Sequence, residues 1–69
     1  MISKRAKQQA PMGKFRIVGV DTFSNEDWVE GDFVTLEQAK HVANQRGGEM
    51  RKMYIYNDQG NYLYEAGTY

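Results

Sequence analysis

The chain has 69 residues, with nine basic and nine acidic side chains, so its formal net charge is zero. That length holds one domain, and the core of so small a domain supplies only about 3–5 kcal/mol of net stability. Cysteine is absent and His41 is the one histidine, which excludes disulfides and thiolate metal sites and argues against a structural zinc.

No apolar run follows the basic start at Lys4 and Arg5, and no stretch reaches the roughly 18 apolar residues of a membrane span. The expected setting is the cytoplasm. Charge is segregated along the chain. Residues 1–16 are basic and residues 17–37 acidic; residues 38–52 return to basic, with Glu49 the one acid. Net zero charge removes a whole-chain attraction to nucleic acid and leaves a local one open.

Residues 1–13 are polar, small and basic, with Pro11 and Gly13 opposing a helix, so they are expected to be a disordered tail. Met12 offers a second possible start to the chain. Residues 14–69 are expected to be a single domain. Lys14 to Phe23 alternates, with Phe15, Ile17 and Gly19 on one side and Arg16, Val18 and Val20 on the other, which predicts a strand. Ser24-Asn25-Glu26-Asp27 predicts a turn, and Trp28 to Phe33 a second strand in which Gly31-Asp32 marks a bulge or an early end.

Thr35 followed three residues later by Gln38 is a capping box. Leu36, Ala39, Val42 and Ala43 make one helical stripe, and Gly47-Gly48 is expected to stop the helix in the left-handed conformation. From Met50 onward the pattern is a hairpin around Asn57-Asp58-Gln59-Gly60. Simple alternation opposes Tyr56 to Tyr62, Ile55 to Leu63 and Tyr54 to Tyr64. Met53, Ile55 and Leu63 then share one face, and Tyr54, Tyr56, Tyr62 and Tyr64 the other. The expected fold is α+β and two-layered: a four-stranded antiparallel sheet in chain order β-β-α-β-β, with the helix on one face.

Thr35-Leu36-Glu37-Gln38-Ala39, Gly47-Gly48-Glu49 and Tyr56-Asn57-Asp58-Gln59-Gly60 together resemble small uncharacterised bacterial ββαββ domains. The resemblance implies a fold and no activity.

The tyrosines with Lys52 are the candidate binding residues. The four rings either cover the back of the sheet or core, or form a protein interface, or stack unpaired bases with Lys52 beside them. Catalysis needs a nucleophile with a base, a carboxylate pair in a cleft, a metal or a phosphate loop, and none is evident. Asp21, Glu26, Asp27, Glu30 and Asp32 lack the D-x-D-x-D-G spacing of a calcium loop. The expectation is therefore a non-enzymatic module without cofactor, metal or small-molecule substrate. It binds a protein or its own copy through the tyrosine face; the alternative is single-stranded nucleic acid bound by the same rings, Lys52 and the basic tail.

Overall fold

The β-branched and aromatic run Phe15–Asp21 forms the first strand, β1, of a computed structural model that describes residues 8–68. Asp21 then organises the reversal. Its Oδ1 accepts from the backbone N–H of Phe23 at 2.9 Å and of Ser24 at 3.3 Å, while Asn25 takes the left-handed conformation at φ 65°. An Asx side chain closing its own turn is why such residues end strands. Strand β2 follows at Glu26–Phe33.

The β1–β2 ladder is antiparallel, and its register slips between Ile17↔Gly31 and Val18↔Val29. Glu30 is the extra residue of this bulge, the irregularity that Gly31-Asp32 foreshadowed. Gly19 leaves room for Trp28: a methyl group there would lie 2.5–2.7 Å from the indole. The indole therefore packs flat over the strand toward the core, and its Nε1 donates to Glu30 Oε1 at 2.7 Å.

Helix α1 runs Leu36–Arg46. Thr35 caps it, its hydroxyl accepting from the Gln38 N–H at 3.1 Å, and Glu37 and Arg46 sit at the ends that suit their charges. Ala39 and Ala43 are fully buried and Leu36 and Val42 pack beside them, so the expected stripe is the one that meets the sheet. The expected stop is different. Gly47 is extended at φ −71° and Gly48 is not left-handed either; the positive φ falls on Met50 instead, at 63°. Glycine at 47 suits a close approach, because a Cβ there would lie 3.0 Å from the backbone nitrogen of Gly67 and 3.1 Å from the Ala43 carbonyl oxygen, so that a neighbour would have to give by a few tenths of an ångström.

Strands β3 (Arg51–Tyr56) and β4 (Tyr62–Ala66) complete an antiparallel sheet in the spatial order β2-β1-β3-β4. Both β2 and β3 are antiparallel to β1 and therefore parallel to each other. Joining them carries the chain over the intervening strand, and α1 is that crossover, lying across one sheet face. Ile17, Met53 and Ile55 meet Ala39 and Ala43 there to form the core. The protein is thus an α+β two-layer domain with chain order β-β-α-β-β.

Residues 8–13 correct the expectation of a disordered tail. They fold back over the β3–β4 turn. The Ala10 N–H donates to the Asn57 carbonyl at 3.0 Å, Gln9 Nε2 to the Asp58 carbonyl at 2.8 Å, and the Gly13 N–H to Asp58 Oδ2 at 2.8 Å. Ala10 is buried as a result. The reason is that the turn's own groups leave Asn57 and Asp58 with acceptors to spare, and a small-residue chain can approach closely enough to use them. Residues 1–7 of the expected tail, and Tyr69, lie outside the described residues.

Candidate binding face

Alternation along β3 sends Met53 and Ile55 into the core and Lys52, Tyr54 and Tyr56 to the face away from α1. Across the ladder these three oppose Val20, Val18 and Arg16 of β1. The hairpin turn is held by Asn57 Oδ1, which accepts from the N–H groups of Gln59 and Asn61 at 2.9 Å each, with Gly60 left-handed at φ 80°. Tyr56 then opposes Tyr62, as simple alternation requires.

One residue later the ladder slips. Ile55 pairs with Tyr64, Tyr54 with Glu65 and Met53 with Ala66, leaving Leu63 as the extra residue of a bulge. Because strand side chains alternate with period two, one inserted residue exchanges the faces of everything beyond it. Tyr64 is therefore not on the candidate face. Its ring packs against the core beside α1, its hydroxyl donates to Asn44 Oδ1 at 2.9 Å, and Lys40 Nζ lies 5.0 Å from the ring centroid. Leu63, expected in the core, is 39% exposed, and Glu65 takes Tyr64's expected place.

Three rings remain together. Tyr62 stands between Tyr54 and Tyr56, 6.3 Å from each by centroid, at interplanar angles of 61° and 60°. These are edge-to-face contacts, the arrangement that sets a positive ring edge against a negative ring face. Tyr62 is the outermost at 55% exposed; Tyr54 and Tyr56 are half-buried.

Ion pairs flank the rings. Lys52 Nζ lies 2.6 Å from Glu65 Oε2 and 5.6 Å from the Tyr54 ring centroid. Tyr62 Oη donates to the other carboxylate oxygen of Glu65 at 3.0 Å. The Lys52 hydrogen bond, and after it that of Tyr62, hold the Glu65 carboxyl below the ordinary carboxylate value. Donation to Glu65 is also the main reason the Tyr62 phenol is raised. On the other side Arg16 Nε meets Asp32 Oδ1 at 2.7 Å and Arg16 Nη2 meets Oδ2 at 3.1 Å, a bidentate pair that raises the guanidinium further.

In both pairs the acid is the more exposed member. Side-chain exposure is 8% for Lys52 against 43% for Glu65, and 16% for Arg16 against 26% for Asp32. The face thus presents rings, Val29 and carboxylates, with its basic groups beneath. Lys52 shares the face with the tyrosines as expected, but it is buried rather than offered to a ligand. Glu65 was missed because only the bulge brings it over, and nothing in Tyr62-Leu63-Tyr64 announces one. Arg16 with Asp32 was within reach of sequence reasoning, since Arg16 alternates onto the face of Val18.

Among the described residues no group of three or more His, Cys, Asp or Glu side chains is arranged to hold a metal ion, and no helix is long and apolar enough to cross a membrane. No protein-family model, no curated protein sequence and no solved structure matches the chain.

Proposed function

We propose that the domain is a non-enzymatic protein-binding module, acting in the cytoplasm, that engages its partner through Tyr54, Tyr56 and Tyr62 on the sheet face opposite α1. The observation that carries this reading is the cluster itself: Tyr62, more than half exposed, in edge-to-face contact with both Tyr54 and Tyr56, on a face that α1 does not cover. Rigid amphipathic rings with wet hydroxyls are what protein interfaces favour. Both sheet edges carry a bulge, which opposes strand-to-strand extension and leaves the face as the surface to use. The same rings suit base stacking, but the carboxylates of Glu65 and Asp32 are the more exposed members of their ion pairs, which disfavours phosphate, and Lys52 lies beneath. The charge therefore favours a protein partner, and a second copy of the chain is the partner to test first, since a two-fold axis lets one patch meet itself.

The test is mass by sedimentation over a hundredfold range of concentration, for the parent and for Tyr56→Ser combined with Tyr62→Ser. The expected result is a parent that associates and a double variant that stays folded and monomeric. A parent monomeric throughout overturns self-association. Binding of single-stranded oligonucleotide that falls steeply with salt would replace a protein partner with nucleic acid.

A further inference from the structure

Tyr62 of β4 touches two rings of β3 at once, its centroid 6.3 Å from those of Tyr54 and Tyr56. The short turn held by Asn57 keeps the two strands, and so the three rings, in register. Tyr62 is also exposed, and its phenolic proton already points at a base: Oη donates to Glu65 Oε1 at 3.0 Å. Lys52, 2.6 Å from the other carboxylate oxygen, holds that base in place.

These are the requirements of phenol coupling. An oxidant needs access to the ring. The phenol gives up its electron most easily when its proton leaves with it, and that proton needs an acceptor within hydrogen-bond reach. The radical so formed then needs a second phenol close by. Tyr64 is the contrast within the same strand: it lies on the other face of the sheet and donates to the amide oxygen of Asn44, which takes no proton.

We propose that Tyr62 is a site of oxidative cross-linking, where it couples to Tyr54 or Tyr56 as a dityrosine that ties β4 to β3 covalently. The oxidant is a haem peroxidase working with hydrogen peroxide. Each phenol loses one electron to the peroxidase and one proton, that of Tyr62 to Glu65 and from there to water. The two phenoxyl radicals join through ring carbons ortho to their oxygens, and the hydrogens on those carbons move to the oxygens and restore both phenols. Two tyrosines lose two hydrogen atoms in all, and one peroxide takes them up as two waters. The product is a staple that a chain without cysteine cannot make from sulfur, across the hairpin of a domain with a thin core. It acts by restricting the unfolded chain. This chemistry stands whether or not the face binds a partner.

Tyr69→Phe leaves the four tyrosines of β3 and β4 as the chain's only phenols. Dilute full-length protein with this change is treated with a haem peroxidase and hydrogen peroxide, after its cooperative unfolding has shown it to be folded. The expected product is a monomer lighter by two hydrogen atoms, with dityrosine fluorescence, whose fragments stay joined after proteolytic cleavage before Asp58. Tyr62→Phe should abolish it. Tyr54→Phe and Tyr56→Phe should each retain it and lose it only in combination, while Tyr64→Phe should leave the yield unchanged. Glu65→Gln, which keeps the shape of the acceptor and removes its basicity, should slow formation several-fold; an equal rate would overturn the role of Glu65. The purified cross-linked monomer should unfold several degrees above the untreated protein, and an unchanged midpoint would overturn the staple. A product that survives Tyr62→Phe, needs Tyr64 or forms only between molecules overturns the site. So does a folded parent that forms no dityrosine.

Discussion

Ile55 and Tyr64 stand opposite each other in the β3–β4 ladder, and this places the Tyr64 ring against the core beside α1. Its hydroxyl reaches Asn44 and its face meets Lys40, so this side chain fastens β4 to the helix. Two residues earlier Tyr62 projects the other way, toward solvent and the candidate partner.

Tyr64 and Tyr62 should accordingly respond differently to the same change. Tyr64→Ser removes packed ring surface, the Asn44 hydrogen bond and the cation–π contact, and should cost about 2 kcal/mol or more. Tyr62→Ser should cost far less and should act on binding instead. Urea denaturation of the two variants measures this, and equal losses would contradict the bulge.

The Lys52–Glu65 pair predicts an asymmetry. Glu65→Gln leaves a buried ammonium without its carboxylate, whereas Lys52→Met replaces the buried charge with an apolar chain of similar length. The first should destabilise more than the second. Since the Glu65 carboxyl is held low, its contribution is full above about pH 4.3, the ordinary glutamate value, and is lost as pH falls through the lower folded value. The gap between parent and Glu65→Gln should therefore close on acidification. Tyr62 has the opposite sign. Its raised phenol adds stability below about pH 10 that disappears as pH rises through the folded value, and Tyr62→Phe should abolish that alkaline component. Urea midpoints between pH 3 and 11 decide both.

Gly67 closes the far end of the sheet. It is left-handed at φ 92°, and a Cβ there would overlap the Arg51 carbonyl oxygen, while the neighbouring Thr68 N–H donates to Gly48 at 3.0 Å. Gly67→Ala should cost about 2 kcal/mol or more. Gly48→Ala, with open space and an ordinary φ, should stay within about 0.5 kcal/mol of the parent. Thermal unfolding of the pair is the check, and a harmless Gly67→Ala would show that the C-terminal contact is dispensable.

What the sequence determined by itself is everything governed by neighbours a few residues apart. Thr35 caps the helix by accepting from the Gln38 N–H, Leu36, Ala39, Val42 and Ala43 make its sheet-facing stripe, Asn57 and Gly60 turn the hairpin, and alternation assigns Lys52, Tyr54 and Tyr56 to one face. Each follows from hydrogen bonds or periodicity within a single element. Tertiary structure decided the rest. Leu63 leaves the ladder, which sends Tyr64 to α1 and Glu65 to Lys52. Gly47 is crowded by the approach of Gly67 and Ala66, about twenty residues away in sequence, as well as by the Ala43 carbonyl of its own helix, and takes no left-handed conformation. Residues 8–13 become ordered because Asp58 offers them acceptors. In each case a deciding partner is distant along the chain, and a period-two pattern carries no mark of the single inserted residue that reverses it.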